Sequence, residues 1–183
     1  MKSVNIYTDG GCSNNQSSEN HGGWGAILEY NNVTKELYGS EANTTNNRME
    51  MTALIEGLKA LKEKKIEVNI YSDSSYLIEC FRNRWYDKWL LNGWKTSTKK
   101  PVENKDLWET LLSSVDSFEK INFNRVKGHL DINKESELKK WYKKYQEYNG
   151  SIDYQRYLEI VNYNNRADEL ANIGIDEIKS PRI

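Results

Sequence analysis

Val4, Ile6 and Thr8 alternate with Asn5 and Tyr7 near the start of the chain, a period of two that predicts a strand ending at Asp9. A polar loop follows, and residues 22–28 (GGWGAIL) predict a second strand. Residues 34–40 predict a third, joined to the second through the turn-forming pair Asn31-Asn32. Strands so close in sequence are most simply an antiparallel meander. The period then changes. Glu50, Leu54, Leu58 and Leu61 recur at i, i+4, i+8 and i+11 in a helix predicted from about 47 to 62. Val68 and Ile70 mark a fourth strand over residues 67–71, and residues 74–81 a short helix. Leu107, Leu111, Leu112 and Val115 give a helix over 104–117. Ile121, Phe123 and Arg125 alternate with Asn122, Asn124 and Val126 in a fifth strand, and the rest reads mostly as helix to about 174. The order β-β-β-α-β-α-α-β-α implies an α/β fold, a mixed five-stranded sheet with helices packed on it.

A chain of 183 residues suffices for one domain with its own core. With two prolines, no Gly/Ser-rich linker and no repeat, residues 1–183 read as a single domain. The net charge of −1 supplies no global footprint for nucleic acid, so such a partner must be met by a local patch. Two cysteines, Cys12 and Cys80, are too few for a disulfide framework and fit a reducing compartment. No apolar run approaches a membrane span and no signal peptide is evident. The expectation is a soluble cytoplasmic protein.

Four acids stand in contexts where chemistry competes with packing: Asp9 in YTDGGC, Glu50 in TTNNRMEM, Asp73 in IYSDSS and Asp168 in NNRADELA. Each has a plain structural reading. Asp9 before Gly10-Gly11 fits a turn. Asn47-x-x-Glu50 has capping-box spacing. Asp73 fits a helix N-cap. Asp168 fits a first-turn acid favoured by the helix dipole, with Glu169 beside it as competitor for any role. Glu50 nevertheless shares a stripe with three leucines, and an acid facing a core is costly unless a cation compensates it. The first and fourth strands are natural central neighbours, both end in aspartate, and α/β proteins place sites at strand ends. Clustered carboxylates cannot all stay ionised without cations, and an all-oxygen ligand set selects hard metals such as magnesium or manganese.

The segments YTDGGC, GGWGAIL, TTNNRMEMTALIEGLKAL, IYSDSSY, NGWKTSTKKPVENKDLW, RVKGH and NNRADELA, in this order from the N-terminus to about residue 172, resemble the ribonuclease H type 1 family in its bacterial form. That resemblance implies a ribonuclease H-like fold. It implies an endoribonuclease that cleaves the RNA strand of RNA/DNA hybrids, leaving 5′-phosphate and 3′-hydroxyl ends. Asp9, Glu50, Asp73 and Asp168 fall on its metal ligands, for two Mg2+ ions with Mn2+ as an alternative. Asp9 would bridge both ions, Glu50 and Asp73 help hold one, and Asp168 the other. His129 in VKGH matches its mobile histidine, against the plain reading of a loop residue. No obligate protein partner is implied, and the chain is expected to be a monomer.

Substrate positions follow from the same resemblance. The Gly10-Gly11 backbone can approach a ligand closely. Cys12, Asn15, Asn46 and Asn47 match contacts to the RNA strand and its 2′-hydroxyls, and Asn14 and Ser75 match contact positions that vary. Thr45 and Asn104 match a pocket that grips a DNA phosphate, and Trp85, Trp89 and Ser97 a channel for the DNA strand. Residues 82–100 resemble a basic protrusion, with Arg82, Arg84, Lys88, Lys95, Lys99 and Lys100 against Asp87. Its structural reading is a solvated helix whose tryptophans pack, and both can hold.

One segment departs from the family. From His129 to Asp168 is 39 residues, and 130–163 reads as a helical insertion. Leu138, Trp141, Tyr145 and Tyr148 form one stripe, Asn149-Gly150 ends that helix, and a second begins near Ser151 with Tyr154, Leu158 and Val161 on one side. The expectation is a helical hairpin near the C-terminus with its aromatic faces packed together. The alternative is a new nucleic-acid contact through Lys139, Lys140, Lys143 and Lys144, although the insertion carries six cations and six anions. Two rival functions remain at this point: a non-catalytic nucleic-acid-binding domain, and a DNA nuclease or transposase of the same fold.

Overall fold

The computed structural model describes residues 1–13 and 19–180. Asn14 and Asn15 therefore lie outside the described residues. Five strands, β1 (Ser3–Ser13), β2 (His21–Tyr30), β3 (Val33–Ala42), β4 (Glu67–Ser72) and β5 (Lys120–Arg125), form one sheet in the order β3-β2-β1-β4-β5. The β3-β2-β1 half is antiparallel, and β1-β4-β5 is parallel. Asn31 and Asn32 join β2 to β3 with φ of 48° and 63°, the pair of left-handed residues that a tight hairpin turn demands and asparagine tolerates.

The expected first strand is corrected at its end. It does not stop at Asp9 but continues to Ser13, because β2 keeps pairing with it as far as Ser13 opposite His21. What stops near Asp9 is the parallel pairing, whose last partners are Thr8 and Ser72. Asp9 and Asp73 are the next residue on each strand, side by side where the two chains part.

Alternation along the strands builds two cores, one on each face of the sheet. Ile6 and Ile70 pack with Leu54 and Leu58 of α1 (Asn46–Lys59) and with helices α2 (Ser75–Asn83) and α4 (Lys105–Asp116). Trp108 of α4 is fully buried there, its indole N–H donating to the Tyr76 hydroxyl at 2.8 Å. Tyr7, Ile27 and Tyr71 face the other way, onto α5 (Glu135–Asn149) and α6 (Tyr154–Lys179). Between α2 and α4, the short α3 (Trp85–Leu91) carries exposed Leu90 and Leu91.

The insertion folds as a hairpin of α5 and α6, with Gly150 at φ 107° closing the first helix. Tyr142 meets Tyr154 edge-on and Tyr157 at a tilt, and Tyr145 meets Tyr157 at a tilt, at 5.1–5.5 Å between ring centres. The predicted stripe divides: Leu138 and Tyr145 are buried, whereas Trp141 and Tyr148 stay at the rim. The second helix starts at Tyr154 rather than Ser151, capped by the Asp153 side chain on the Arg156 N–H, and runs unbroken past Asp168.

Two devices seat α6. A Cβ at Gly25 would overlap the Ala167 carbonyl, so this glycine lets the helix backbone lie directly on β2 opposite Asp9. Farther along, the Arg156 guanidinium donates to the Tyr7 hydroxyl at 2.5 Å and to Glu29 Oε2 at 3.4 Å. Tyr7 in turn donates to Glu29 at 2.7 Å, as does Asn5 at 2.9 Å. Among the described residues, no helix is long and apolar enough to cross a membrane.

Candidate active site

Three acidic side chains converge where β1 and β4 diverge. Asp9 comes from β1, Asp73 from the first residue beyond β4, and Glu50 from the first turns of α1. One carboxylate oxygen of each lies within 4.8 Å of the other two. Gly10 brings α1 this close. A Cβ at Gly10 would sit on the Met49 carbonyl carbon and the Glu50 nitrogen, so any other residue would push the helix off the strand.

The structural readings of these three acids fail on geometry. Asp9 sits within a paired strand, not in a turn. Thr45, not Asn47, caps α1, its hydroxyl accepting the Arg48 N–H at 3.2 Å, so Glu50 is not a capping-box partner. Ser74, not Asp73, caps α2, accepting the Leu77 N–H at 3.2 Å.

Burial makes the cluster electrostatically costly. The Asp9 carboxyl is pushed up to about 8, first by desolvation and then by the charge of Asp73. Glu50 is raised far above the ordinary carboxylate range by burial, with Asp9 and Asp73 adding to it. Asp73 is raised too, chiefly by burial. The Gly10 N–H donates to Asp9 Oδ1 at 2.9 Å, yet buried Glu50 Oε2 has no hydrogen-bond partner among the described residues. An orphaned buried carboxylate oxygen facing two further carboxylates fits a hard divalent cation: three oxygen donors, excess negative charge, and a lone pair left unused.

Asp168 lies outside that close set. It is about one-third exposed on α6, with Oδ2 3.7 Å from Nδ1 of His129, and near enough that its charge contributes to the rise of Asp9 and Asp73. The insertion has not carried it away, because the Gly25 contact fixes the neighbouring Ala167 and the Asn165 amide donates to the Leu130 carbonyl at 2.9 Å. The competitor Glu169 is more exposed and is held by Arg166 at 2.8 Å. His129 is exposed, on a loop residue with φ 59°.

The expected substrate positions fall at the ends of β1, α1, α2 and α4, on α3 and on the loop after it. Gly11 and Cys12 continue β1, and the Cys12 N–H donates to Asn46 Oδ1 at 2.7 Å. Asn46 and Asn47 open α1, and Ser75 opens α2. Thr45 and Asn104 are joined by Arg48, whose N–H reaches Thr45 and whose guanidinium reaches Asn104 at 3.4 Å and Asp106 at 2.8 and 3.0 Å. Sequence reasoning missed Arg48; its place in TTNNRMEM, between four polar residues and Glu50, was the available signal. Trp89 packs half-buried on Trp94 and Trp108, while Trp85 is exposed. Ser97, Lys95, Lys99 and Lys100 are exposed on the loop closed by the Lys95–Pro101 bridge.

Two cations of the expected basic protrusion are already engaged. Arg82 donates to the carbonyls of Phe123 and Tyr148, tying α2 to β5 and α5, and Arg84 pairs with Asp87 at 2.8 Å. Lys88, Lys95, Lys99 and Lys100 have no ion pair among the described residues.

A model of the RNase H family matches residues 1–139, which takes in Asp9, Glu50, Asp73 and His129 and stops before Asp168. Ribonuclease H of Chlorobaculum parvum is 43% identical over 176 residues, covering 96% of this chain and 97% of the relative. Ribonuclease H of Caldanaerobacter subterraneus subsp. tengcongensis is 56% identical over 128 residues, covering 70% of this chain and 80% of its own. Among solved structures, LC9-RNase H1, described as a type 1 RNase H with the type 2 active-site motif, is 25% identical with a TM-score of 0.71, over 96% of this chain and 73% of that one. With its acids gathered at the parting of β1 and β4 and relatives matched over most of its length, the chain belongs to the RNase H family.

Proposed function

We propose that this protein is an endoribonuclease that hydrolyses the RNA strand of RNA/DNA hybrids by a two-metal-ion mechanism, giving 5′-phosphate and 3′-hydroxyl ends. The observation that carries the reading is the close triad of Asp9, Glu50 and Asp73 with an unpartnered oxygen on Glu50. These three carboxylates, joined by Asp168 at the open side, would hold two Mg2+ ions, with Mn2+ able to replace them. When bound, such ions supply Lewis-acid polarisation of the scissile phosphate and a hydroxide at neutral pH.

The chain's own residues position the substrate. The Cys12 backbone, Asn46 and Asn47 face the RNA strand, where a 2′-hydroxyl distinguishes it from DNA. Thr45 and Asn104, bridged by Arg48, form a polar seat for a phosphate of the DNA strand. Trp85 and the lysines at 95, 99 and 100 track that strand farther out. His129, exposed beside Asp168, carries a proton between the reacting centre and solvent. Residues 1–183 act as a single monomeric domain, with 130–163 as a helical insertion.

Incubating the protein with labelled RNA/DNA hybrid, duplex DNA and single-stranded RNA, each with magnesium, manganese or a chelator, tests the proposal. Metal-dependent cleavage of the hybrid alone is expected. Absence of that cleavage sinks the proposal, and strong cleavage of duplex DNA favours the DNA nuclease reading.

A further inference from the structure

The loop after β5 and one flank of α5 line a cleft of about 390 Å³ that reaches the carboxylate cluster at Asp73, with His129, Lys127, Trp141 and Lys144 also on its walls. The half-buried indole of Trp141 gathers three cations. The ammonium groups of Lys144, Lys127 and Lys140 lie 4.5, 4.9 and 5.4 Å from its ring centre. All three lysines are exposed, and none has a carboxylate partner among the described residues. The indole attracts each by only about 0.5–1 kcal/mol, while the three charges repel one another. An anion entering the cleft relieves that repulsion.

The balanced charge of the insertion hides this segregation. Two of its six acids pair with other cations: Glu135 with Lys139 at 3.0 Å, and Glu159 with Arg156 at 3.0 Å. Lys144 of the insertion lines the cleft together with Lys127 and Asp73.

We propose that this cleft is a phosphate subsite for the RNA strand of the hybrid, holding the backbone next to the scissile position through Lys127 and Lys144 around Trp141. The inference rests on Asp9, Glu50 and Asp73 being the cleavage centre. The occupant is the cleaved strand because the cleft begins at Asp73, so a strand bound at the carboxylates reaches it within a nucleotide or two, at roughly 3.4 Å of rise each. Lysines serve here as point charges for phosphate and carry no sequence preference.

The test compares wild type with the Lys127→Ala/Lys144→Ala double variant, in the full chain with magnesium, on a long hybrid at several salt concentrations. The variant is expected to raise KM roughly tenfold, leave kcat within about twofold, and flatten the dependence of log KM on log salt by about one to two. The paired Lys→Arg variant retains wild-type values. Trimming the RNA strand back to the scissile position on one side should abolish the difference between wild type and the alanine variant. An unchanged KM and salt slope, with normal metal-dependent cleavage by wild type, overturns the subsite and leaves the nuclease reading intact. A wild type that does not cut the hybrid overturns both.

Discussion

Glu29 and Glu50 are two acids taken out of water, and the protein treats them in opposite ways. Burial pushes the Glu29 carboxyl up, but hydrogen bonds from Tyr7 and Asn5 and the Arg156 charge outweigh it, and its pKa ends below the ordinary range. Burial pushes Glu50 up as well, and there Asp9 and Asp73 add to the rise. Glu29 has its partners within the chain, whereas Glu50 Oε2 has no hydrogen-bond partner among the described residues. The first arrangement locks α6 to the sheet. The second holds free energy in reserve for a cation that the chain itself lacks. A satisfied buried acid belongs to the architecture, and an unsatisfied one to a ligand.

The largest break in that contrast comes from neutralising the reserve. Glu50→Gln should cut kcat on RNA/DNA hybrid by roughly a thousandfold or more, on the order of 4 kcal/mol of transition-state stabilisation. It should also make chelator-treated protein more stable, by about 1–2 kcal/mol, or a rise in Tm of several degrees. A variant with lost activity and lowered Tm would mean that Glu50 supports the fold instead.

Asp168 tests whether the open side of the cluster belongs to the same class. Asp168→Asn should lower kcat by roughly a hundredfold with little change in Tm, because its side chain is partly exposed and its helix is held by Gly25 and Arg156. Near-wild-type cleavage by Asp168→Asn, together with an inactive Glu169→Gln, would reassign the role to Glu169.

The contrast between the two glutamates was half legible in the sequence. The leucine stripe announced that Glu50 points inward, because helical period alone fixes which face a residue occupies. That Asn47 and Asp73 are not caps was not legible, since Thr45 and Ser74 stand beside them with equal cap chemistry. The continuation of β1 past Asp9 was hidden for a related reason. Gly10 and Gly11 read as a turn locally, and only pairing with β2 makes them strand. The Tyr7–Glu29–Arg156 network joins residues more than a hundred positions apart, and no local pattern encodes such a contact. For the same reason the lysines of the insertion looked neutralised by composition, whereas Lys140 and Lys144 have no carboxylate partner among the described residues.

Glu29→Gln approaches the contrast from the architectural side. It removes the charge that answers Arg156 while keeping the shape, and should destabilise the fold by roughly 2–3 kcal/mol, read as a lower denaturation midpoint. Cleavage per folded molecule should stay within about twofold of wild type. A specific loss of kcat without loss of stability would place Glu29 in the reacting machinery and dissolve the distinction.

The smallest effect separates the two regions by pH. Asp9 has its carboxyl raised from 3.8 to about 8, so between those values the folded chain holds a proton that the unfolded chain has released. Stability of chelator-treated protein therefore falls as pH rises through that window, by at most about 1.4 kcal/mol per pH unit for one group, and less where the cluster shares its protons. Glu29 runs the other way: its pKa is lowered, so its contribution is fully present above the ordinary value of 4.5 and is lost only as pH falls below it. Between pH values of about 5.5 and 8 the slope thus belongs to the carboxylate cluster alone of these two regions. A falling Tm over that interval is expected without metal, flattened by excess magnesium and by Asp9→Asn but not by Glu29→Gln. A slope that persists unchanged in Asp9→Asn would show that the cluster is not the source of the reserve.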